Sequence, residues 1–277
     1  MAAAAVFDHL IFPTTDLDAL EQAFSRLGFA LSPRKSFPFG DARVENHLIY
    51  LNGGYIELID VKEGDVSFVR AVLEKRQGPA GLALRCDEPQ SRRARAEALG
   101  FDVQCTEFDV SFTVDGKTFE GEFRASLFLS DRYPVTWMQL IEETRSYDRS
   151  PFFKPHDNGA DRLQKLVIVA GDVEKTAGIH DVVMDGSFSA ARTPFEWHDG
   201  VVAYAAMTPA DFEAAYDEPA SSDEALQPCF AAAHFLVRDL GAAASHLKSA
   251  GVDFTEKNGA IIISSSNAGG LTVVFED

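Results

Sequence analysis

The sequence predicts an α+β chain of two related domains, built from four βαβββ modules around curved mixed sheets. One pattern recurs four times: a short apolar strand, a helix stopped by Gly, then a strand opening on an aromatic or β-branched residue. Gly-rich turns between alternating apolar segments supply the hairpins, most clearly at Asn52-Gly53-Gly54, where tolerance of positive φ suits a tight reversal. The length of 277 residues is long for one core and sufficient for two without disulfides or a structural metal.

The first copy, FDHLIFPTTDLDALEQAFSRLGF, places Leu17, Leu20, Phe24 and Leu27 on one helical face, with Gly28 just past the end. Strands are expected over 29–34, 44–51 and 55–61, the last two joined by the Asn-Gly-Gly turn. The second copy, ALRCDEPQSRRARAEALGF, opens its helix at Pro89 and carries Ala96, Leu99 and Gly100 at the later offsets. Strands follow near 101–108, 119–129 and 136–142, with Asp115-Gly116 as a turn. Residues 147–161 have no period and two prolines, so they read as the connection between domains 1–146 and 162–277. The third copy, LQKLVIVAGDVEKTAGIHDV, has a helix expected to break near Gly178, and its module runs to about Thr208. An acidic loop with Pro219 follows. The fourth, AHFLVRDLGAAASHLKSAGVDF, repeats the first, with Leu240, Ala243, Leu247, Ala250 and Gly251 at matching offsets.

A net charge of −18 repels phosphate backbones and anionic membranes, so neither nucleic acid nor membrane is expected as a partner. Arg92, Arg93 and Arg95 read as the solvated face of a helix. Cys86, Cys105 and Cys229 are scattered and odd in number, which fits neither a disulfide framework nor a zinc ribbon and points to a cytoplasmic setting. The opening MAAAAV lacks the charge and apolar stretch of a signal peptide, and no apolar run is long enough to span a bilayer. Paired modules leave open whether cups form within one chain or across a homodimer.

Three segments, FDHLIFPTTDLDAL, GGYIELIDV and WMQLIEE, together with the four βαβββ modules, resemble the vicinal-oxygen-chelate superfamily over nearly the whole chain. That superfamily includes glyoxalase I, methylmalonyl-CoA epimerase, extradiol dioxygenases and bleomycin-resistance proteins. Within it, the wide hairpin segment and KPHDNGADRL look like the glyoxalase-like group. The resemblance implies two glyoxalase-like domains and a divalent metal in a cup formed by paired modules, with His9, Glu57 and Gln139 at ligand positions. The fourth position falls on Gly81, which has no side chain to coordinate, so an iron site with two imidazoles does not fit. The corresponding positions of the second half are Lys165, Ala203, Ala232 and Val273, which form no metal set.

The residues themselves support part of this. Glu57 alternates with Tyr55 and Ile59 on one strand face, opposite Ile56 and Leu58, so its carboxylate enters a half-buried space where it needs a metal, a cation or a proton. His9 has the ordinary alternative of a core histidine, and Gln139 that of a hydrogen-bonded core amide. His47 and His156 join Tyr55 as candidate substrate-pocket residues, His47 with its strand parity open and His156 with the alternative of bracing a turn. His234 shares a face with Ala232. Ser264, Ser265 and Ser266 lack a nucleophile elbow and read as a solvated strand end. The 22 phenylalanines, several near loops as at Phe37, Phe39, Phe152 and Phe153, are enough for an aromatic pocket wall beyond the core.

Two functions follow as expectations. One is a metal-dependent lyase or isomerase acting on a small oxygenated organic molecule by enediolate-type chemistry, with Glu57 as catalytic residue. The other is a metal-free small-molecule binding protein of the bleomycin-resistance type.

Overall fold

A computed structural model describes residues 5–114, 116–184 and 195–277. In chain order the first half contains β1 (Val6–Thr14), α1 (Leu17–Arg26), β2 (Lys35–Phe39), β3 (Ala42–Leu51), β4 (Gly54–Glu63) and α2 (Ser67–Leu73). It continues with β5 (Gly81–Arg85), α3 (Gln90–Ala98), β6 (Asp102–Val114), β7 (Lys117–Leu129) and β8 (Trp137–Arg145). The second half contains β9 (Ala160–Val169), α4 (Val173–Met184), β10 (Phe195–His198), β11 (Ala203–Met207) and α5 (Pro209–Tyr216). It closes with β12 (Cys229–Val237), α6 (Leu240–Ser249), β13 (Thr255–Lys257), β14 (Ala260–Ile263) and β15 (Thr272–Glu276).

The repeat is visible in capping chemistry. Asp16 and Asp239 each accept a hydrogen bond from the backbone N–H three residues on, which satisfies an orphan donor at the start of α1 and α6. Gly28 and Gly251 adopt φ of +91° and +65° just past the ends of the same helices, a conformation costly for any residue with a Cβ. The apolar stripes expected on α1 and α6 are buried at Leu17, Leu20, Phe24, Ala243 and Leu247.

The first eight strands form a mixed sheet in the order β2-β3-β4-β1-β5-β8-β7-β6, and the rest form a seven-stranded sheet, β10-β11-β9-β12-β15-β14-β13. Parallel β1–β4 and β5–β8 pairs flank an antiparallel β1–β5 contact, so two modules of one chain make one cup. The helix-bearing faces of both sheets share a single core, in which Phe29 meets Phe235 edge-on at 5.0 Å. The other face of the first sheet curves into the cup.

Several expectations shift. Residues 29–34 are not a strand; β2 begins after Pro33, whose ring removes a ladder donor. Gly178 does not break α4, since a helical Gly costs only about 1 kcal/mol relative to Ala. Among the described residues the third module shows βαββ rather than βαβββ. Arg92 is fully buried, with its guanidinium on the Cys86 sulfur at 3.1 Å, so the three arginines do not form one solvated face. The expected Asp115-Gly116 turn includes residue 115, outside the described residues. No helix among the described residues is long and apolar enough to cross a membrane.

The connection is anchored by Asn158, which is fully buried, donates to the Leu27 carbonyl at 2.9 Å and accepts from the Ala160 N–H at 2.9 Å. Replacing it with Ala leaves a buried carbonyl and a buried N–H unpaired. Asn158→Ala is expected to lower unfolding free energy by about 1–3 kcal/mol, read by urea denaturation; an unchanged midpoint contradicts the anchoring role.

Candidate active site in the first cup

The β1–β5 ladder pairs Phe7 with Leu84 and His9 with Ala83, leaving Asp8 as an extra residue on β1. Such a bulge re-aims side chains, and here it brings the consecutive residues Asp8 and His9 into the same cup. Gly54 makes room for it: a Cβ there would stand 2.4 Å from the Asp8 carbonyl oxygen. His9 Nδ1 donates to Asp8 Oδ1 at 2.7 Å, and both side chains are buried. Burial pushes the Asp8 carboxyl upward, but the His9 hydrogen bond and the charges of His9, Arg149 and Arg85 outweigh it and hold the group below the usual carboxylate range. Tyr55 stacks on the imidazole at 4.4 Å with 14° between the planes, fixing the ring. Burial, reinforced by the Asp8 and Glu57 charges, lifts the Tyr55 phenol well above its ordinary value.

With Nδ1–H given to Asp8, His9 turns Nε2 toward Glu57 Oε2 at 3.7 Å and toward the Gln139 amide nitrogen, a donor, at 3.5 Å. Glu57 Oε1 accepts from Asn46 Nδ2 at 2.7 Å, which leaves Oε2 to face His9. An imidazole lone pair and a carboxylate oxygen thus converge on one point. Two such electron-rich atoms need a proton or a cation between them.

The sequence profile of the glyoxalase-like domain family matches residues 7–183, more than half of the chain. The chain belongs to the glyoxalase-like domain family. A hypothetical protein from Staphylococcus aureus is similar in structure, with 13% identity and a TM-score of 0.65 over 98% of this chain and 99% of that one. A variant of 4-hydroxymandelate synthase from Streptomyces coelicolor has 12% identity and a TM-score of 0.67 over 99% and 92% of the two chains. A xylose isomerase-like TIM barrel/4-hydroxyphenylpyruvate dioxygenase fusion protein has 11% identity and a TM-score of 0.58, over 99% of this chain and 49% of that one. No curated protein matches the chain. The family assignment and the shared fold place this glyoxalase-like protein in the vicinal-oxygen-chelate superfamily.

Strand register explains the fourth position of the glyoxalase-like cup. Glu57 pairs with Ile11 across β4–β1, and Gln139 pairs with Ala83 across β8–β5. Two residues before those partners stand His9 and Gly81, which are therefore equivalent. A Cβ on Gly81 would meet the Trp137 indole at 2.6 Å, so that ring fills the space a second imidazole would need. Trp137 Nε1 is buried with no hydrogen-bond partner among the described residues. His9, Glu57 and Gln139 remain as three donors from β1, β4 and β8. One imidazole nitrogen, one carboxylate and one amide would fit a divalent ion with open positions for water or ligand once the Gln139 amide turns its oxygen in place of the nitrogen that now faces His9, and Asp8 is the outer carboxylate that orients the histidine. Among the described residues no three His, Cys, Asp or Glu side chains are placed to hold a metal ion, so the set depends on the amide.

Above the trio the cup is apolar and encloses about 360 Å³. Its roof is the β6–β7 hairpin, whose Phe108–Phe123 and Phe112–Phe119 pairs stack at 5.4 and 5.5 Å. Of the other candidates, Tyr55 lines this cup and His47 does not. Period-two alternation gives the cup face to Asn46 and Leu48, and His47 bonds the Ser32 carbonyl at 2.8 Å and Glu21 at 3.1 Å on the opposite face. His156 also stands outside: its Nδ1 accepts from the Ala30 N–H at 2.9 Å and its Nε2 donates to the Tyr50 carbonyl at 3.0 Å, bracing the connection. Asp8, Asn46, Trp137, Lys35 and Arg149 line the cup without having been singled out in the sequence.

The second sheet has its corresponding face covered by α5, whose Phe212 and Tyr216 pack on Val167, Ala205 and Ala232. Val273 belongs to the shared core and Val274 takes the covered face, a shift of one residue from the expected position. His234 does reach that face, where Tyr216 donates to its Nε2 at 2.8 Å and its Nδ1 lies 3.2 Å from Glu276.

Two outcomes test this geometry. Gly81→Ala is expected to cost about 1–3 kcal/mol by overpacking Trp137, with Gly81→Ala/Trp137→Val recovering most of it in urea unfolding; full stability of the single variant contradicts the assignment. The Asp8 carboxyl is lower in the folded chain than its ordinary 3.8, so its stabilisation is complete above that value and lost as pH falls through the folded one. Between about pH 5 and about pH 2, wild-type protein is therefore expected to lose more stability than Asp8→Asn, and equal losses contradict the pairing.

Proposed function

We propose that the first cup is the active site of a metal-dependent lyase or isomerase acting on a small oxygenated organic molecule. The observation that carries this reading is the convergence of His9 Nε2 and Glu57 Oε2 while His9 Nδ1 is committed to Asp8. A divalent ion held by His9, Glu57 and Gln139 would supply Lewis-acid polarisation of substrate oxygens. The remaining work belongs to the chain. Asp8 and Tyr55 lock the imidazole plane, so His9 presents Nε2 and no other atom. Asn46 holds Glu57 Oε1, so Oε2 is the oxygen that acts, and it takes a proton from a carbon next to a carbonyl only when it is not committed to the ion. The apolar walls of Ile11, Ile59 and Leu127 keep water from that proton.

The 4-hydroxymandelate synthase and the 4-hydroxyphenylpyruvate dioxygenase fusion protein share the fold, at 11–12% identity. Among the described residues His9 is the single imidazole lining this cup, which supports proton transfer over the chemistry of a site with two histidines and a carboxylate. A metal-free ligand-binding protein is the second reading, and the indole at the fourth position favours it.

Elemental analysis of protein purified without chelator decides between them. Near-stoichiometric divalent metal, lost in His9→Ala and Glu57→Ala, is expected; protein that takes up no ion on incubation with zinc, manganese, cobalt, nickel or magnesium salts contradicts the proposal. Asp8→Asn is expected to weaken ion affinity by about 10- to 100-fold while leaving one site per chain, read by calorimetric titration.

A further inference from the structure

We propose that the ligand of the first cup is a monocarboxylate with an apolar body, and that Lys35 binds its carboxylate. This rests on the reading of the cup as the ligand site and adds a substrate class to it.

Lys35 opens β2, the edge strand that meets the other edge strand, β6, across the mouth of the cup. Its ammonium lies 3.5 Å from the centroid of the Phe112 ring and 5.2 Å from that of Phe152. Among the described residues it has no carboxylate within ion-pair distance. Of the lysines only Lys62 and Lys257 form ion pairs among the described residues, so Lys35 is set apart by its half-buried place over two aromatic rings. Arg149 and Asp8 already have charged partners, Glu143 at 3.1 Å and His9 at 2.7 Å, and Glu57 has a hydrogen-bond donor in Asn46 while facing His9. Asp109 is exposed at the rim. Lys35 is thus a half-buried cation over aromatic faces, with no counter-ion of its own.

Burial pulls its ammonium down to about 8, only partly opposed by the Glu57 charge. An incoming anion relieves that desolvation, and a single ammonium matches a single negative charge. A phosphate dianion calls for more donors than one lysine supplies. The walls set the rest of the ligand. Ile11, Ile59, Val61, Val69 and Leu127 ask for a hydrocarbon or aryl body, and about 360 Å³ limits it to a small one. Asn46 sits opposite Lys35 in the β2–β3 register, and its Oδ1 is buried without a hydrogen-bond partner among the described residues. It offers an acceptor between the lysine and Glu57 for a ligand hydroxyl.

A simple latch between β2 and β6 would use the same cation–π contact, so the test must read charge selectivity rather than stability. The probes are the straight series from benzoate to 5-phenylpentanoate and the primary amide of each, titrated calorimetrically into the purified protein and into chelator-treated protein. At least one acid is expected to bind about tenfold or more tightly than its amide, a preference corresponding to about 1.4 kcal/mol. Lys35→Met and Lys35→Gln are expected to bring the acid down to the level of the amide, and Lys35→Arg to retain the preference. The preference is expected to persist after chelation, which assigns it to Lys35 and not to an ion in the cup. Equal binding of acids and amides, a preference that survives both neutral variants, or failure of every acid in the series to bind overturns the proposal. Absence of metal with the acid preference intact would instead overturn the catalytic reading alone.

Discussion

Asp8 and His9 are neighbours on one strand, and a regular pleat would send their side chains to opposite faces. The single extra residue in β1 against β5 removes that conflict and places a buried carboxylate on His9 Nδ1. Much else depends on it. The tautomer of His9, the direction of Nε2, the need for a positive group between Nε2 and Glu57, and the close approach that only Gly54 allows all follow from one bulge. Tyr55 and Asn46 then complete the arrangement, one by stacking on the imidazole and one by holding a carboxylate oxygen.

The two halves show how one module architecture serves two ends. In the first sheet the concave face is left open beneath an aromatic hairpin, and polar groups gather at its base. In the second, α5 lies on the same face and Phe212 and Tyr216 fill it, so its histidine is bonded within the protein on both nitrogens. The helix-bearing faces of both sheets merge into one core through Phe29, Phe235 and Phe275, which ties the site-bearing half to the packed one. Within the first half, Trp137 repeats this logic on the scale of one side chain. It occupies the volume that Gly81 concedes and makes the cup asymmetric about its own pseudo-two-fold axis.

Much of the architecture was legible because it is written locally. The α1 and α6 stripes, their Asp and Gly caps and the Asn52-Gly53-Gly54 reversal each occupy a few adjacent residues. The face of Glu57 was legible for the same reason, since Ile56 and Leu58 define the opposite side. What escaped depends on contacts made across the sheet. Asp8 reads as an outward residue until the bulge is known, and the parity of His47 depends on a register that its own strand does not reveal. The role of Lys35 is hidden because the strand that carries it begins later than its apolar pattern suggests. The short helix α5 carried a usable signal, Thr208 capping the Asp211 N–H with Pro209 in the first turn, which the surrounding acidic loop obscured.

The central claim is that His9, Glu57 and Gln139 converge on a cation. Anomalous diffraction from a crystal of the wild-type protein soaked in manganese(II) tests it most directly. The account predicts one strong peak bounded by His9 Nε2, a Glu57 carboxylate oxygen and the Gln139 side chain, beneath the Trp137 indole. A crystal whose peaks all lie elsewhere, with His9 Nε2 and Glu57 bridged by a proton or a water molecule, would contradict it.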